Sequence, residues 1–211
     1  MELILGSQSP RRRELLQRMG LDFRVLCAEI DETKFESEDP EDSVCRICQA
    51  KAEAVAQRLQ RQAWPAPADG RRLILSSDTV VVLDGRILGK PHSEAEARAM
   101  LRALSGREHA VCTAFTLLPL GDWPAEQARR LTRCETTLVR FRSLSEAEIA
   151  AYVASGEPMD KAGAYGIQGL GAMLVEGVRG DYFTVVGLPV CSLAQALRRF
   201  GLDPLGQPAA R

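Results

Sequence analysis

The sequence contains 211 residues, of which 45% are hydrophobic, and its formal net charge at pH 7 is −1. This length predicts one domain, or two small lobes on one core. The near-zero charge excludes a global field that would draw the protein to nucleic acid or to an anionic membrane, so an anionic ligand needs a local cluster of cations. No apolar run reaches membrane-spanning length, and the N-terminus lacks the long apolar region of a signal peptide. We therefore expect a cytoplasmic protein without a membrane partner.

The six cysteines favour free thiols in a reducing compartment. Four of them are scattered through apolar stretches and are typical of small core residues, namely Cys27, Cys112, Cys134 and Cys191. Cys45 and Cys48 form a CxxC motif inside a predicted helix. A zinc site would need a second pair of ligands, and neither histidine has the required spacing.

A short apolar strand, MELILG, opens the chain and is followed by a helix in SQSPRRRELLQRMG. Ser9 is a suitable N-cap, and Pro10 fits the first helical position. Arg11, Arg12 and Arg13 oppose the helix dipole in the first turn. Their positive charges are unfavourable at this end of a helix, but a bound phosphate would make the arrangement favourable. Backbone N–H groups, the helix dipole and the guanidinium groups would all interact with the phosphate. The stretch predicts a phosphate site, with a solvated basic turn as the alternative.

Residues 29–42, EIDETKFESEDPED, predict an acidic loop that is mostly solvated. Asp31 and Glu32 are alternatively candidate metal ligands within it. Asp39 is the expected N-cap of a long amphipathic helix that begins at Pro40. Lys51 falls in the middle of the apolar stripe of this helix. The lysine either extends along the helix to reach solvent or points into a cleft where the stripe ends.

Residues 76–91, SSDTVVVLDGRILGKP, predict a β-hairpin around the turn Asp84-Gly85. In the alternating pattern of the first strand, Asp78 falls on the apolar face. A carboxylate is costly there unless it is hydrogen-bonded, paired or metal-bound. Asp78 is therefore either a structural residue satisfied by a neighbouring loop or a functional carboxylate.

The return strand of this hairpin carries Gly89, Lys90 and Pro91. A two-residue turn places Lys90 near Thr79, one step from Asp78. Lys90 is either a salt-bridge partner of the aspartate or a phosphate clamp. Further along, residues 109–120 and 130–141 predict an antiparallel pair of strands between two helices that open with capping boxes.

The glycine-rich stretch 157–171, EPMDKAGAYGIQGLG, fits neither a regular helix nor a strand. It is not a Walker A loop or a dinucleotide fingerprint. Asp160, Lys161 and Gln168 offer an acceptor, a cation and an amide that can read a base edge. The alternative is a glycine-rich turn without a ligand. A strand is expected at 172–178, a last helix after Pro189, and a frayed tail at 204–211.

Together, these stretches resemble the Maf family of nucleoside triphosphate pyrophosphatases, in an order and spacing that cover almost the whole chain. The matching pieces are Ser9-Pro10-Arg11-Arg12, Lys51, Ser77-Asp78-Thr79-Val80, Gly89-Lys90-Pro91, residues 160–169 and Val186-Gly187-Leu188-Pro189. One departure is Phe183-Thr184, where many members carry a small polar pair with asparagine.

The resemblance implies an α/β fold in one domain, residues 1–211, with a mixed, twisted central sheet flanked by helices and two lobes around a cleft. It implies hydrolysis of a nucleoside triphosphate to the monophosphate and pyrophosphate, with a divalent cation, Mg²⁺ or Mn²⁺, in a cytoplasmic homodimer. Arg11, Thr79 and Gln168 match the members that act on dTTP and UTP. A 7-methyl-GTP pyrophosphatase, or one for modified bases, is the alternative within the enzyme class.

The resemblance implies that Asp78 is the general base that activates water, alone or together with the metal ion. The candidate ligands of that ion are Asp78 and Glu32. Gln168, with Thr79 nearby, reads the pyrimidine edge. The other expected substrate contacts are Ser9, Arg11, Arg12, Lys51, Lys90, Asp160 and Lys161. The rival class is a nucleic-acid-binding or cell-division regulatory protein that uses the arginines on phosphates. An aromatic content of 5% argues against a stable nucleic-acid complex, because stacking platforms are missing.

Overall fold

A computed structural model describes residues 1–31, 38–62 and 64–206 and confirms a mixed α/β fold built on a seven-stranded sheet. The strands are β1 (Glu2–Leu5), β2 (Arg24–Val25), β3 (Arg72–Leu83), β4 (Arg86–Leu88), β5 (Glu108–Leu120), β6 (Leu131–Phe141) and β7 (Val175–Arg179). The helices are α1 (Pro10–Arg18), α2 (Pro40–Arg61), α3 (Glu94–Leu104), α4 (Glu146–Ala154), α5 (Tyr182–Val186) and α6 (Val190–Arg198).

The sheet has the order β2-β1-β3-β5-β6-β7, and β4 pairs with β3. Strand β1 is parallel to β2 and β3, whereas the β3–β4 and β6–β7 pairs are antiparallel. Strands β5 and β6, which correspond to the two long strands predicted to pair, are neighbours in the sheet. Among the described residues no helix is long and apolar enough to cross a membrane.

The described part of the chain divides into two compact units. The first unit comprises Met1–Asp78, Ala114–Cys134 and Gly187–Arg211, and the second comprises Thr79–Thr113 and Glu135–Val186. The cleft that the resemblance implies stays a prediction.

The core of the first unit forms where α2 packs on the parallel strands. Ile4 of β1 and Ile74 of β3 are fully buried against Val55 and Leu59 of α2. This confirms the apolar stripe read from the spacing. Asp39 caps the helix as expected, because its side chain accepts a hydrogen bond from the Glu41 backbone N–H.

The second unit is organised by the predicted hairpin and by an aromatic cluster. Asp84 and Gly85 have φ values of 52° and 74°, as a two-residue turn with two left-handed positions requires, and Leu83 pairs with Arg86. His109 contacts Phe141 and Tyr165 edge to face, with ring centroids 5.1 and 5.4 Å away. His109 is 3% exposed, so it contributes to the packing of this unit.

Several local expectations are wrong. The alternation expected along β3 is absent between Leu73 and Ser77, all of which are buried. This part of β3 pairs in parallel with β1, and parallel strands are typically covered on both faces by packed elements rather than by solvent on one face. Ser9 stands at the N-cap of α1 but makes no side-chain cap. Cys191 is exposed rather than in the core. The strand expected at 172–178 begins at Val175, after a 3₁₀ turn at Leu170–Leu174.

Candidate active site

The first unit pairs Asp78 of β3 with Lys51 of α2. The Lys51 ammonium lies 2.7 Å from Asp78 Oδ1, and the two side chains are 16% and 13% exposed. Lys51 follows the buried Cys48 on the helix face that packs on the sheet, so its side chain is aimed at the strand. The positive charge of Lys51 offsets the free-energy cost of a carboxylate on an apolar strand face. Because its side chain is 13% exposed, Asp78 also remains accessible to solvent.

A second cluster in this unit lies at the turn from β1 into α1. Arg12 Nε donates to the Gly187 carbonyl at 2.8 Å, and its Nη1 donates to Ser7 Oγ at 3.0 Å. The Ser77 hydroxyl donates to the same carbonyl at 3.0 Å. The guanidinium is therefore held in place at the start of a helix, where anions are favoured. Sequence reasoning missed Ser7, although it belongs to the same short SQSPRR stretch.

The side chains of Ser9 and Arg11 make no hydrogen bond with the described part of the chain. The Ser9 N–H donates to Ser7 Oγ at 3.3 Å, and no side-chain cap involves the Ser9 hydroxyl. Arg11 is partly exposed and makes no hydrogen bond or ion pair with the residues that the structure describes. Both positions can therefore serve a ligand without breaking an internal contact.

Thr79 begins the second unit and takes part in a chain of hydrogen bonds. Its hydroxyl oxygen lies 2.9 Å from Thr113 Oγ1 on β5, and the Thr113 hydroxyl donates to the Thr184 carbonyl of α5 at 2.7 Å. Thr113 and Thr184 are completely buried, whereas Thr79 is partly exposed. No pattern in the sequence indicates this arrangement, because it depends on three segments that are far apart in the chain.

The glycine-rich stretch forms a series of short 3₁₀ turns, Glu157–Asp160, Ala162–Ala164 and Leu170–Leu174. Gly163 has a φ of 67° and packs on Val81, where an added Cβ would lie 2.9 Å from a Val81 methyl carbon. Its N–H donates to the Gly89 carbonyl at 3.0 Å. Val81 is two residues from Thr79, so this turn lies against the β3 face that carries Thr79.

Glu157 organises the rest of this stretch and was missed by sequence reasoning. Its Oε1 accepts hydrogen bonds from the Tyr152 hydroxyl and the Gly171 N–H at 2.8 and 3.0 Å, and its Oε2 accepts one from the Leu170 N–H at 2.8 Å. Gly169 must lack a side chain, because a Cβ there would lie 2.2 Å from Oε2. Burial raises the Glu157 pKa, but these hydrogen bonds outweigh it, and the net pKa is lowered.

The ammonium and the alkyl chain of Lys161 both make contacts within the same stretch. Its ammonium donates to the Glu157 carbonyl at 2.7 Å and pairs with Asp160 at 2.5 Å. Its alkyl chain covers Gly166, where an added Cβ would lie 2.6 Å from Lys161 Cε. Its side chain is 16% exposed, whereas that of Asp160 is 70% exposed. Lys161 therefore braces the turn and still presents part of its ammonium to solvent.

Lys90 and Gln168 are exposed and make no hydrogen bond or ion pair within the described part of the chain. The β3–β4 pairing ends at Leu88, so the register expected to bring Lys90 beside Thr79 does not extend that far. The hydrogen bond from Gly163 to Gly89 nevertheless joins the segment before Lys90 to the segment after Lys161.

The described residues contain no group of three histidine, cysteine, aspartate or glutamate side chains that could hold a metal ion. Glu32 lies outside the described residues. Asp31, the other candidate from that loop, is exposed. We keep Asp78 as the candidate ligand because it lies beside the Lys51 ammonium, which is expected to bind phosphate. Mg²⁺ is commonly held by one or two carboxylates together with substrate phosphates, so a single carboxylate beside phosphate-binding groups fits such an ion.

Comparisons with known proteins show which family the chain resembles. A family model described as "Maf-like protein" matches residues 2–200. A dTTP/UTP pyrophosphatase from Pasteurella multocida is 46% identical over 202 residues, covering 96% of this chain and 97% of that protein. A dTTP/UTP pyrophosphatase from Moorella thermoacetica is 47% identical over 208 residues, covering 98% of each chain.

Proposed function

The chain belongs to the family of Maf-like proteins, and on this premise we propose that it is a nucleoside triphosphate pyrophosphatase acting on dTTP and UTP. The observation that carries the proposal is its near full-length similarity to proteins named dTTP/UTP pyrophosphatase. The products are the nucleoside monophosphate and pyrophosphate.

Asp78 is the general base of this reaction. Water is a weak nucleophile at neutral pH, and a carboxylate that removes its proton as it attacks the α-phosphorus lowers the barrier. The neighbouring Lys51 ammonium, 2.7 Å away, fixes the orientation of the carboxylate and places a positive charge beside the reacting group. Partial exposure of both side chains gives water access to the pair.

The phosphates are bound by cations from separate segments. In the first unit these are Arg11 and Arg12 at the start of α1, with Lys51 and the Ser9 hydroxyl. The preformed contacts of Arg12 to Gly187 and Ser7 support this role, because a guanidinium already held in place loses little entropy on binding. In the second unit the phosphate-binding candidates are Lys90, Lys161 and Asp160.

A divalent cation, Mg²⁺ or Mn²⁺, completes the proposal, with Asp78 as the protein residue that would hold it. When bound, such an ion polarises a phosphoryl oxygen and neutralises charge on the phosphates. Asp78 Oδ1 already accepts from Lys51, but a carboxylate has about four acceptor sites, so Asp78 would still have sites for the ion and for water.

Thr79 and Gln168 select the base. A side-chain amide offers one donor and one acceptor group, and the Gln168 amide has no partner among the described residues. The loop that carries it is braced by Glu157 and Tyr152, so the amide is presented from a fixed backbone.

The test is a screen of the purified protein against dTTP, UTP, CTP, dGTP and 7-methyl-GTP, with Mg²⁺, Mn²⁺ or a chelator. We expect pyrophosphate and monophosphate from dTTP and UTP, and metal dependence. In ¹⁸O-labelled water the label should enter the monophosphate, which reports attack at the α-phosphorus. Release of orthophosphate, or a preference for 7-methyl-GTP, would contradict the proposal.

We further propose a cytoplasmic homodimer that forms no stable complex with nucleic acid. Light scattering on the purified protein measures the dimer, and filter binding with duplex and single-stranded DNA across a salt series measures nucleic-acid affinity. Tight binding that falls steeply with salt would favour the rival, regulatory function.

A further inference from the structure

A row of side-chain contacts joins helix α2 to the start of strand β6 within the first unit. Gln49 Nε2 donates a hydrogen bond to Thr132 Oγ1 at 3.3 Å. Glu53, one turn further along the helix, forms an ion pair with Arg130, just before the strand. Four residues of helix and two residues of strand advance by about 6 and 7 Å respectively, so the two rows stay in step. The next position of the row, towards the start of α2, pairs residue 45 with residue 134.

Two cysteines occupy that next position. The Cys45 side chain forms a hydrogen bond with the side chain of Cys134. Both residues are free cysteines and both are partly exposed, as are Gln49 and Thr132 in the adjoining contact. The two sulfur atoms are therefore adjacent, reduced and accessible to a small solute.

The second cysteine of the CxxC motif is engaged elsewhere. Cys48 is completely buried, its thiol donates to the Ala114 carbonyl of β5 at 3.6 Å, and its Sγ lies 3.4 Å from Ser76 Oγ of β3. Cys45 faces β6 instead. The structure therefore pairs Cys45 not with its neighbour in the motif but with Cys134, about 90 residues further along the chain.

We propose that Cys45 and Cys134 form a reversible oxidation site, at which a peroxide links α2 to β6 through a disulfide. One thiolate attacks an oxygen of hydrogen peroxide, the O–O bond breaks, and a sulfenic acid forms as hydroxide leaves. The second thiolate attacks the sulfenic sulfur, the S–O bond breaks, and a second hydroxide leaves. The two thiol protons convert both hydroxides to water, while the sulfurs lose two electrons and the peroxide gains two. A dithiol reductant reverses the reaction.

The surroundings of the pair keep it reduced until an oxidant accumulates. Burial raises the pKa of the Cys45 thiol, the hydrogen bond with Cys134 offsets this only in part, and the carboxylates of Asp42 and Glu41 raise the pKa further. Both features slow the reaction at neutral pH, because the thiolate is the reacting form. Once formed, the disulfide closes a loop of about 90 residues and fastens the helix that carries Lys51, so it should stabilise the folded chain.

The test treats the reduced protein with hydrogen peroxide at about pH 8, where thiolates are more abundant, and then blocks the remaining thiols with iodoacetamide. All samples carry Cys191→Ser, so that this exposed thiol cannot crosslink separate molecules. We expect peptide mass spectrometry without reduction to find Cys45 joined to Cys134. The melting temperature should rise by at least about 4 °C, and dithiothreitol should reverse both changes.

Variants identify the sulfurs that react. Cys45→Ser and Cys134→Ser should each abolish the disulfide and the temperature shift. Cys27→Ser removes another partly exposed thiol as the matched control and should retain both. A disulfide between Cys45 and Cys48, oxidation of Cys45 without a disulfide, or a disulfide that leaves the melting temperature unchanged would each overturn the proposal. None of these measurements depends on hydrolytic activity, so their outcome is independent of the function proposed above.

Discussion

Replacing Glu157 with glutamine tests how the glycine-rich stretch is held. The carboxylate accepts three hydrogen bonds, two of them from backbone N–H groups of Leu170 and Gly171. Glutamine has one acceptor oxygen, so one N–H would face an amide donor and lose its partner. We expect Glu157→Gln to reduce the free energy of unfolding by about 2–3 kcal/mol, because one charge-assisted bond is lost and the others become neutral.

This loss corresponds to a fall in melting temperature of roughly 4–12 °C for a chain of this size. The matched control is Glu176→Gln, since Glu176 is 56% exposed and forms only a surface ion pair with Arg140, and its effect should be within about 0.5 kcal/mol. The assay is thermal unfolding of both variants and wild type, followed by circular dichroism.

The lowered pKa of Glu157 also predicts how the effect of this substitution on stability changes with pH. Because folding lowers the Glu157 pKa below its usual value of 4.5, the stabilisation is complete above that pH and is lost as the pH falls through the folded-state pKa. The stability gap between wild type and Glu157→Gln should therefore be full at pH 7 and shrink below about 4.5. A gap of equal size at pH 7 and pH 3.5, or no gap at pH 7, would refute the reasoning.

Three further predictions follow from single contacts. Lys51→Met should lower stability by about 1–3 kcal/mol, since it strands a largely buried Asp78 carboxylate, and chemical denaturation measures this. His109 has a pKa lowered by burial to about 4, so wild-type stability should fall as the pH drops from 6.5 towards 4, and His109→Gln should flatten that slope in denaturation series. Gln168→Ala should reduce the preference among nucleotides more than the maximal rate, and an unchanged substrate profile would remove its role in base selection.

The elements that the sequence predicted well are those set by local chemistry. The Asp84-Gly85 turn requires two left-handed residues, the Asp39 cap satisfies orphan N–H groups, and the α2 stripe follows the helical period. Of the two predicted capping boxes, that of Ser145 with Glu148 forms with both of its hydrogen bonds. In the other, Ser93 accepts from the Glu96 N–H, but the Glu96 carboxylate accepts from the His92 N–H and not from Ser93. Each of these needs only residues that are neighbours in the chain.

The parts that escaped prediction depend on contacts between distant segments. Glu157 is one of several acidic residues in the sequence, and nothing local indicates that two N–H groups more than ten residues later converge on it. The hairpin turn predicts Lys90 of the return strand as one candidate partner of Asp78, whereas the observed partner is Lys51 of the preceding helix. The helical period places Lys51 on the face of α2 that packs on the sheet, but it does not indicate which strand residue the lysine meets.

The central claim, that Asp78 performs the chemistry beside Lys51, is tested most directly by single-turnover hydrolysis of dTTP with Asp78→Asn. Asparagine has nearly the same shape but cannot remove a proton from water. We expect the rate of pyrophosphate formation to fall by at least about a hundredfold, the low end of the contribution of general bases, while a fluorescent nucleotide analogue still binds. Pyrophosphate formation at the wild-type rate in this variant would contradict the account.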